Sequence, residues 1–218
     1  MNDLYNSNLF STPVWDVYDP SYVKNLIKAT DSYIKEAKNR NKKYIQHRNK
    51  QFKIKLNDFG LSHHSTKLYN DPKFEGFIDV ILDTSLNFLD SQGFDLTNYK
   101  LALNEMWVQE FAKQGGGHHS SHIHWNQHVS GFYFLKCSEK TSYPVFHDPR
   151  PGALMTKLPL KKSNKIELGT ESIIFNIKPG TFIFFPGYLT HEFPFDLGLD
   201  TFRFIHFNVQ AVHNEIAK

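Results

Sequence analysis

The sequence has only one cysteine, which excludes a fold held together by internal disulfide bonds. Cys137 has no second thiol to pair with anywhere in the 218 residues. The sequence also lacks an excess of either charge, because 25 basic residues stand against 22 acidic ones and leave a net charge of +3. So small a net charge does not favour nucleic acid as a partner. Stability must therefore come from a packed hydrophobic core, which 40% hydrophobic residues can supply in a chain of this length.

Long apolar runs are missing as well. No stretch reaches the roughly 20 consecutive apolar residues that a membrane-spanning helix needs. The N-terminal residues MNDLYNSNLF lack the basic start and the apolar run of a secretory leader. We therefore expect a soluble, cytoplasmic protein that has no membrane partner. The sequence carries no signal for an oligomeric state.

Two helices are predicted in the first hundred residues. Asp19-Pro20 has the pattern of an N-cap followed by the first helical residue, and apolar residues at helical spacing continue to about Lys38. Asn39 and the basic residues after it are expected to end this helix. Asp71-Pro72 begins a second helix by the same reasoning, and this helix is expected to end near Gln92-Gly93.

A basic stretch follows the first predicted helix. Residues 40–55 contain seven lysines and arginines and no acidic residue. Such a stretch can bind phosphates, or it can be a solvated loop followed by an edge strand whose lysines protect it from pairing. The alternation of apolar residues and lysines in QFKIKL favours the loop and edge strand, because a run of charge alone is a weak signal.

From Lys100 onward the pattern is that of short β-strands. Apolar or alternating runs are separated by Gly, Pro, Asp and Ser turns, which favours a sandwich or a jelly roll. We expect one mainly β domain with N-terminal helices packed on one face of a sheet. Residues 1–99 would form its helical and extended part, and residues 100–213 its jelly-roll core. Residues 149–170 are poorly periodic and are expected to form a long surface loop, or a flap over the site.

The segment from Gly115 to Leu135, GGGHHSSHIHWNQHVSGFYFL, contains five of the twelve histidines. His122 and His124 are two residues apart, so on a strand their side chains point to the same face. His191 follows another apolar strand in PGTFIFFPGYLTHEF. These three side chains can form a facial set of metal ligands with open positions, as non-haem Fe(II) oxygenases need. Imidazole also binds Zn, Cu and Ni, so the residue types alone do not identify the metal.

The remaining histidines of this segment, His118, His119 and His128, are interpreted as surface residues. No side chain beyond the metal ligands is predicted to be catalytic, since the chain shows no nucleotide-binding loop and no Ser-His-Asp elbow.

Four motifs carry a family resemblance: HIHWNQHVSGFYFL, FHDPR, FPGYLTH and RFIHFN. With these motifs the chain resembles the 2-oxoglutarate and Fe(II)-dependent oxygenase superfamily, and more closely a small bacterial and phage group within it. The resemblance covers about Asn104 to Asn208. It implies a double-stranded β-helix, with Fe(II) at His122 and His191 and 2-oxoglutarate as co-substrate. It also implies that Arg203 pairs with the distal carboxylate of 2-oxoglutarate.

Tyr133 and Asn126 are further candidates for binding the co-substrate. Alternatives stay open for each of these three residues. Arg203 could instead pair with an internal acid such as Glu105 or Glu110, since a buried guanidinium needs an anion. Tyr133 could pack in the core, and Asn126 could shape a turn.

The third metal ligand is where the chain departs from the superfamily. The usual pattern is H-x-D, and this chain has His124 at the second position. The site is therefore predicted to contain His122, His124 and His191, with Asp148 of FHDPR as the alternative carboxylate in place of His124.

The resemblance implies hydroxylation of a C–H bond in a peptide, an amino acid or another small molecule, with a prolyl-hydroxylase-like reaction suggested by analogy. Two alternatives share the jelly-roll architecture. One is a cupin-type metalloenzyme that does not use 2-oxoglutarate, since the glycines, proline and histidines also follow much of the cupin pattern. The other is a non-catalytic module whose histidines hold a structural metal.

Overall fold

The computed structural model describes residues 9–150, 155, 158–161 and 165–215. They form two antiparallel sheets, a larger one of six strands and a smaller one of four. The strands of the larger sheet, in spatial order, are β1 (Trp15–Tyr18), β8 (Thr181–Pro186), β5 (Val129–Lys136), β10 (Arg203–His213), β3 (Tyr99–Phe111) and β2 (Ser62–His64). Those of the smaller sheet are β4 (His119–His122), β9 (His191–Phe193), β6 (Val145–His147) and β7 (Ser172–Ile174).

The strand order is that of a jelly roll. From β3 to β10 the chain crosses from one sheet to the other at every step except between β6 and β7, which are paired in the smaller sheet. The prediction of a mainly β fold with N-terminal helices is confirmed. The first part of the chain also contributes to the barrel, because β1 and β2 extend the larger sheet on its two edges.

The first helix is longer than predicted. A single 3₁₀ turn, Pro20–Tyr22, starts where Asp19 accepts a hydrogen bond from the Ser21 N–H at 2.9 Å. Helix α1 (Val23–Phe52) then continues through the basic stretch and ends at Lys53, which adopts a left-handed conformation with φ of 53°. The predicted loop and edge strand are therefore wrong. Lysine, arginine and glutamine are good helix formers, and no Pro or Gly interrupts them.

The second helix confirms its prediction. Asp71 caps a 3₁₀ turn, Pro72–Phe74, and helix α2 (Glu75–Asp90) follows and ends two residues before the predicted Gln92. Among the described residues, no helix is both long and apolar enough to cross a bilayer. The predicted flap, residues 149–170, lies partly outside the described residues.

Two hydrophobic cores lie on opposite faces of the larger sheet. The core on the helix face contains Ile81 and Phe88 of α2 together with Ile205 and Phe207 of β10. The core on the other face fills the barrel between the two sheets and consists mainly of phenylalanines, including Phe204 of β10. Because side chains alternate along a strand, neighbouring residues of β10 belong to different cores.

Candidate metal centre

Three histidines converge where β4 meets β9. These strands are antiparallel neighbours, and their register places His122 directly opposite His191. His124 follows β4, and its backbone N–H donates to the carbonyl of Gly187 at 2.8 Å. One ring nitrogen from each histidine belongs to a set whose members all lie within 4.8 Å of one another. The structure thus brings the three predicted ligands together.

The spacing of the ring nitrogens fits a shared ion. Nε2 of His124 lies 3.2 Å from Nε2 of His191. Two nitrogens bound at right angles to one metal, with bonds of about 2.1 Å, would be about 3.0 Å apart. The ring of His122 lies 4.4 Å from that of His191 and 5.0 Å from that of His124. The arrangement is therefore close to three adjacent positions of a coordination sphere.

Hydrogen bonds from the backbone orient two of the rings. Nδ1 of His191 lies 2.9 Å from the carbonyl of Leu189, and Nδ1 of His122 lies 2.7 Å from the carbonyl of Ser120. A carbonyl can only accept, so each Nδ1 must carry the proton. Nε2 of each ring then presents its lone pair toward the common point.

The third ring is held by Asn208 of β10. The amide nitrogen of Asn208 donates to Nδ1 of His124 at 3.2 Å, so the neutral ring of His124 carries its proton on Nε2, which an ion bound at that atom would displace. This amide also donates to a carboxylate oxygen of Glu105 at 2.6 Å and accepts from the hydroxyl of Ser130 at 2.6 Å. Asn208 is fully buried, so this network has little freedom to move. It connects His124, which follows β4 of the smaller sheet, with the larger sheet.

Burial keeps two of these imidazoles neutral. Burial, together with the nearby His122, lowers the pKa of His191 to about 3 and that of His124 to about 4. Neutral imidazole is the form that binds a metal ion, so these two rings carry no positive charge at pH 7 that would oppose an ion.

The chain also matches a known protein family over this region. Residues 105–200 match the model of one family, described as "Putative 2OG-Fe(II) oxygenase". The resemblance to the 2OG-Fe(II) oxygenases is confirmed. The cofactors that give the family its name, Fe(II) and 2-oxoglutarate, are those predicted from the sequence motifs.

Solved structures resemble this chain at low sequence identity. An oxidoreductase of the 2OG-Fe(II) oxygenase family from Burkholderia pseudomallei is 14% identical, with a TM-score of 0.44, and the match covers 65% of this chain but only 59% of that protein. A Pseudomonas putida prolyl-4-hydroxylase is 10% identical, with a TM-score of 0.51 over 93% of this chain and 95% of the other. HygX from Streptomyces hygroscopicus, solved with nickel and 2-oxoglutarate, is 11% identical, with a TM-score of 0.53 over 91% of this chain and 83% of HygX. The last two matches support the jelly-roll fold. No curated protein matches the chain.

Arg203 does not face the histidines, which corrects its predicted role. Its side chain points to the helix face of the larger sheet, where Nε donates to Glu110 at 2.6 Å and Nη1 donates to Asp31 of α1 at 2.7 Å. Arg203 is 4% exposed. A buried guanidinium needs anions, and these two carboxylates already supply them. The alternative pairing with Glu110, rather than with Glu105, is the one found.

Tyr133 also lies on the helix face, away from the metal centre. Its hydroxyl donates to the backbone carbonyl of Asp19 at 2.7 Å, and its ring packs against Phe182 with centroids 4.3 Å apart. The prediction that it binds the co-substrate is therefore replaced by core packing. Asn126 is exposed and left-handed, with φ of 59°, as expected of a turn residue. Among the hydrogen bonds of the described residues, none joins the side chain of Asn126 to a histidine.

Asp148, the alternative third ligand, is outside the histidine cluster. It forms an ion pair of 2.7 Å with Arg150, and its carboxylate also accepts from the Arg150 backbone N–H at 2.9 Å. These bonds lower the pKa of Asp148, with the side-chain bond from Arg150 as the main cause. The cluster found among the described residues contains three histidines and no carboxylate.

Sequence reasoning missed a small polar chamber beside the three histidines. It is lined by the polar side chains of Trp107, Gln109, His119 and His206 together with three phenylalanines, and it contains no lysine or arginine. His119 hydrogen-bonds Gln109, so it is not the surface residue that was expected. The chamber measures about 10 Å³, which is enough for about one water molecule. One sequence feature could have indicated this chamber: His206 and Asn208 of β10 are two residues apart and so share a face.

Proposed function

We propose that this protein is a metal-dependent oxygenase of the 2OG-Fe(II) type and that His122, His124 and His191 hold its Fe(II). One observation carries the proposal: ring nitrogens of three histidines lie within 4.8 Å of one another in a jelly roll that matches this family. Three ligands on one side of an ion leave positions open for other ligands, which is what an oxygenase site requires. Bound Fe(II) would supply the redox chemistry.

The protein's own side chains have defined tasks in this proposal. The backbone carbonyls of Leu189 and Ser120 fix two of the rings, and Asn208 fixes the third. The ring of Phe132 packs 5.6 Å from that of His191, and the ring of Phe185 packs 4.7 Å from it. These apolar neighbours shield His191 from bulk solvent. His122 and His124 are only partly buried, so the site is open to solvent on their side.

The described residues do not provide a binding site for 2-oxoglutarate of the predicted kind. The chamber beside the histidines holds about one water molecule and has no cation to pair with a distal carboxylate. Arg203 and Arg150 are both already paired with carboxylates. The three histidines can hold Fe(II), with His124 at the position where the superfamily usually has an aspartate. The predicted partner of the co-substrate is already paired, so no step is assigned to 2-oxoglutarate here.

The pairing of Arg203 favours a second candidate function. A jelly-roll metalloenzyme that does not use 2-oxoglutarate needs the histidines but no cation for a diacid. The same histidine geometry serves both functions, so the two differ in the co-substrate and not in the metal site.

An apolar cavity of about 360 Å³ is the best candidate for the substrate. Phe146, Ile173 and Leu189 contribute to its wall, and the Asp148–Arg150 pair lies at its edge. The ring of Phe146 is 5.9 Å from that of His191, so one wall residue of the cavity also packs against a proposed metal ligand. This size suits a small molecule or one peptide side chain. A prolyl-hydroxylase-like reaction stays a prediction by analogy.

The test combines metal binding with turnover. Fe(II) affinity and Fe(II)-dependent release of succinate from 2-oxoglutarate would be measured on the wild-type protein, His191→Ala and His213→Ala. His213 lies at the far end of β10, beside Tyr99, and is a matched control. We expect His191→Ala to weaken Fe(II) binding at least about 100-fold, since even groups that only orient ligands contribute about 10- to 100-fold. His213→Ala should bind as the wild type does.

The outcomes separate the candidates. Succinate release that depends on His191 would support the 2OG-Fe(II) oxygenase. Metal binding without any succinate release would favour the enzyme that does not use 2-oxoglutarate, or a structural metal. Equal Fe(II) affinity in the wild type and His191→Ala would contradict the metal site itself.

A further inference from the structure

His206 is a buried imidazole with no hydrogen-bond partner for either ring nitrogen among the described residues. It is 2% exposed. A buried donor or acceptor that is left without a partner costs about 1–3 kcal/mol, so an unsatisfied pair of nitrogens calls for an explanation. Elsewhere on β10 the polar side chains Arg203 and Asn208 have partners.

The ring of His206 lies against the metal centre. It stacks on the ring of His124 with centroids 4.5 Å apart and planes 26° apart. It also packs against Trp107, with ring centroids 4.4 Å apart. The indole nitrogen of Trp107 and Oε1 of Gln109 also lack partners in the described chain, and both residues line the same chamber. Polar groups without partners therefore surround a space of about one water molecule.

His206 is too far away to belong to the ligand set. The cluster whose nitrogens all lie within 4.8 Å of one another contains the three proposed ligands and not His206. Ligands that share one ion with bonds of about 2.1 Å are at most about 4.2 Å apart. A side chain that hydrogen-bonds a metal-bound atom, instead of binding the metal itself, would lie just beyond this distance of about 4.2 Å from the ligands.

We propose that His206 is a positioning residue that hydrogen-bonds the ligand atom bound to the metal on the side of β10. The inference rests on the proposed metal site. The chamber admits only a small ligand on this side, such as water or the bound end of a small anion. A neutral imidazole has one N–H to donate and one nitrogen to accept, so it can bond either kind of ligand.

The experiment uses the full chain loaded with Co(II), whose visible absorption reports the atoms around it. Azide is titrated into the wild-type protein and into His206→Phe, His206→Gln and His213→Phe, and the Co(II) affinity of each is measured separately. We expect His206→Phe to weaken azide binding about tenfold, the effect of one lost hydrogen bond, while Co(II) affinity stays within about twofold. His206→Gln, which keeps a donor, should recover most of the loss, and His213→Phe should match the wild type.

Three results would overturn the inference in distinguishable ways. Unchanged azide affinity in His206→Phe, with Co(II) bound, would make His206 a packing residue and leave the metal site intact. A loss of Co(II) affinity of tenfold or more would make it a ligand instead. A wild-type protein that binds no Co(II) would refute the proposed function, and this inference with it. If His206→Phe does not fold, His206→Ala has the same expected results.

Discussion

The two faces of strand β10 differ in how they use polar side chains. On the barrel face, His206 and Asn208 are neutral, and both lie against His124. On the helix face, Arg203 carries a charge and is bound by carboxylates from β3 and α1. The comparison teaches that the positive charge on this strand attaches helix α1 to the sheet and does not face the three histidines.

The helix face contains a buried ion network. Lys38 of α1 pairs with Glu110 at 2.5 Å, Glu110 pairs with Arg203 at 2.6 Å, and Arg203 pairs with Asp31 at 2.7 Å. Burial acts to raise the pKa of Glu110, but the bond from Lys38 and the charges of Arg203 and Lys38 outweigh it, so the pKa is lowered. Two residues of α1 are thus attached to the larger sheet through one arginine.

The largest expected effect comes from breaking this network. We expect Glu110→Gln to lower the free energy of unfolding by about 3 kcal/mol, because it leaves Arg203 buried with only the exposed Asp31 as an anion. The affinity for Fe(II) should stay within about twofold, since the network is on the far face of the sheet. Urea unfolding and a metal titration measure the two quantities. If Glu110→Gln lost metal affinity but kept its stability, the network would serve metal binding and not the packing of the helix.

The next effect is on the barrel face. Asn208→Ala removes the amide beside Nδ1 of His124, so we expect Fe(II) affinity to fall about 10- to 100-fold. Gln210→Ala, two residues along the same strand, is the matched control, because its partner is Asn104 and not a histidine. Competition with a chelator measures both variants. Equal losses in the two would mean that Asn208 acts only through general stability.

The stability that Glu110 provides on the helix face should depend on pH, which is a smaller effect. The lowered pKa of Glu110 means that its carboxylate stabilises the fold at pH values above its ordinary pKa of about 4.5. That stabilisation is lost as the pH falls through the lowered pKa of the folded state. The advantage of the wild type over Glu110→Gln should therefore be constant near neutral pH and shrink below about pH 4.5. Unfolding curves at several pH values measure it, and an advantage that persists in strong acid would exclude this network as its source.

The smallest effect is expected at an exposed ion pair on helix α1. Glu36 accepts from Arg40 one turn later at 2.8 Å, and both side chains are largely in solvent. We expect Glu36→Gln to change the free energy of unfolding by less than about 0.5 kcal/mol. Glu36→Gln and Glu110→Gln are measured in the same urea series. The difference between them tests whether burial, and not ion pairing alone, makes the network stabilising. If Glu36→Gln lowers the free energy of unfolding as much as Glu110→Gln does, burial is not what gives the network its strength.

Local signals predicted the starts of both helices and the convergence of three histidines. Asp19 and Asp71 each cap a turn that begins with proline, which depends only on neighbouring residues. The two-residue spacing of His122 and His124 likewise brought their ring nitrogens into one set with His191. The end of α1 was not predictable in this way, because a lysine-rich segment without Pro or Gly is compatible with a helix or with a loop.

The role of Arg203 was mispredicted because the motif was considered without the alternation of the strand. His206 and Asn208 face the barrel, and Arg203 is three residues before His206, so it must face the other way in a regular strand. Its partner Asp31 is 172 residues away in the sequence. No local pattern connects two such positions, and only the packed fold brings them together.

The position of His124 between the two sheets has a thermodynamic consequence. His122 and His191 belong to the smaller sheet, while His124 is attached through Asn208 to the larger one. An ion shared by all three would clamp one sheet to the other at this end of the barrel. At a concentration 100 times its Kd, such an ion would add about 2.7 kcal/mol to the stability of the folded state. Heat denaturation would then report how much of the protein is loaded, even before any substrate is known.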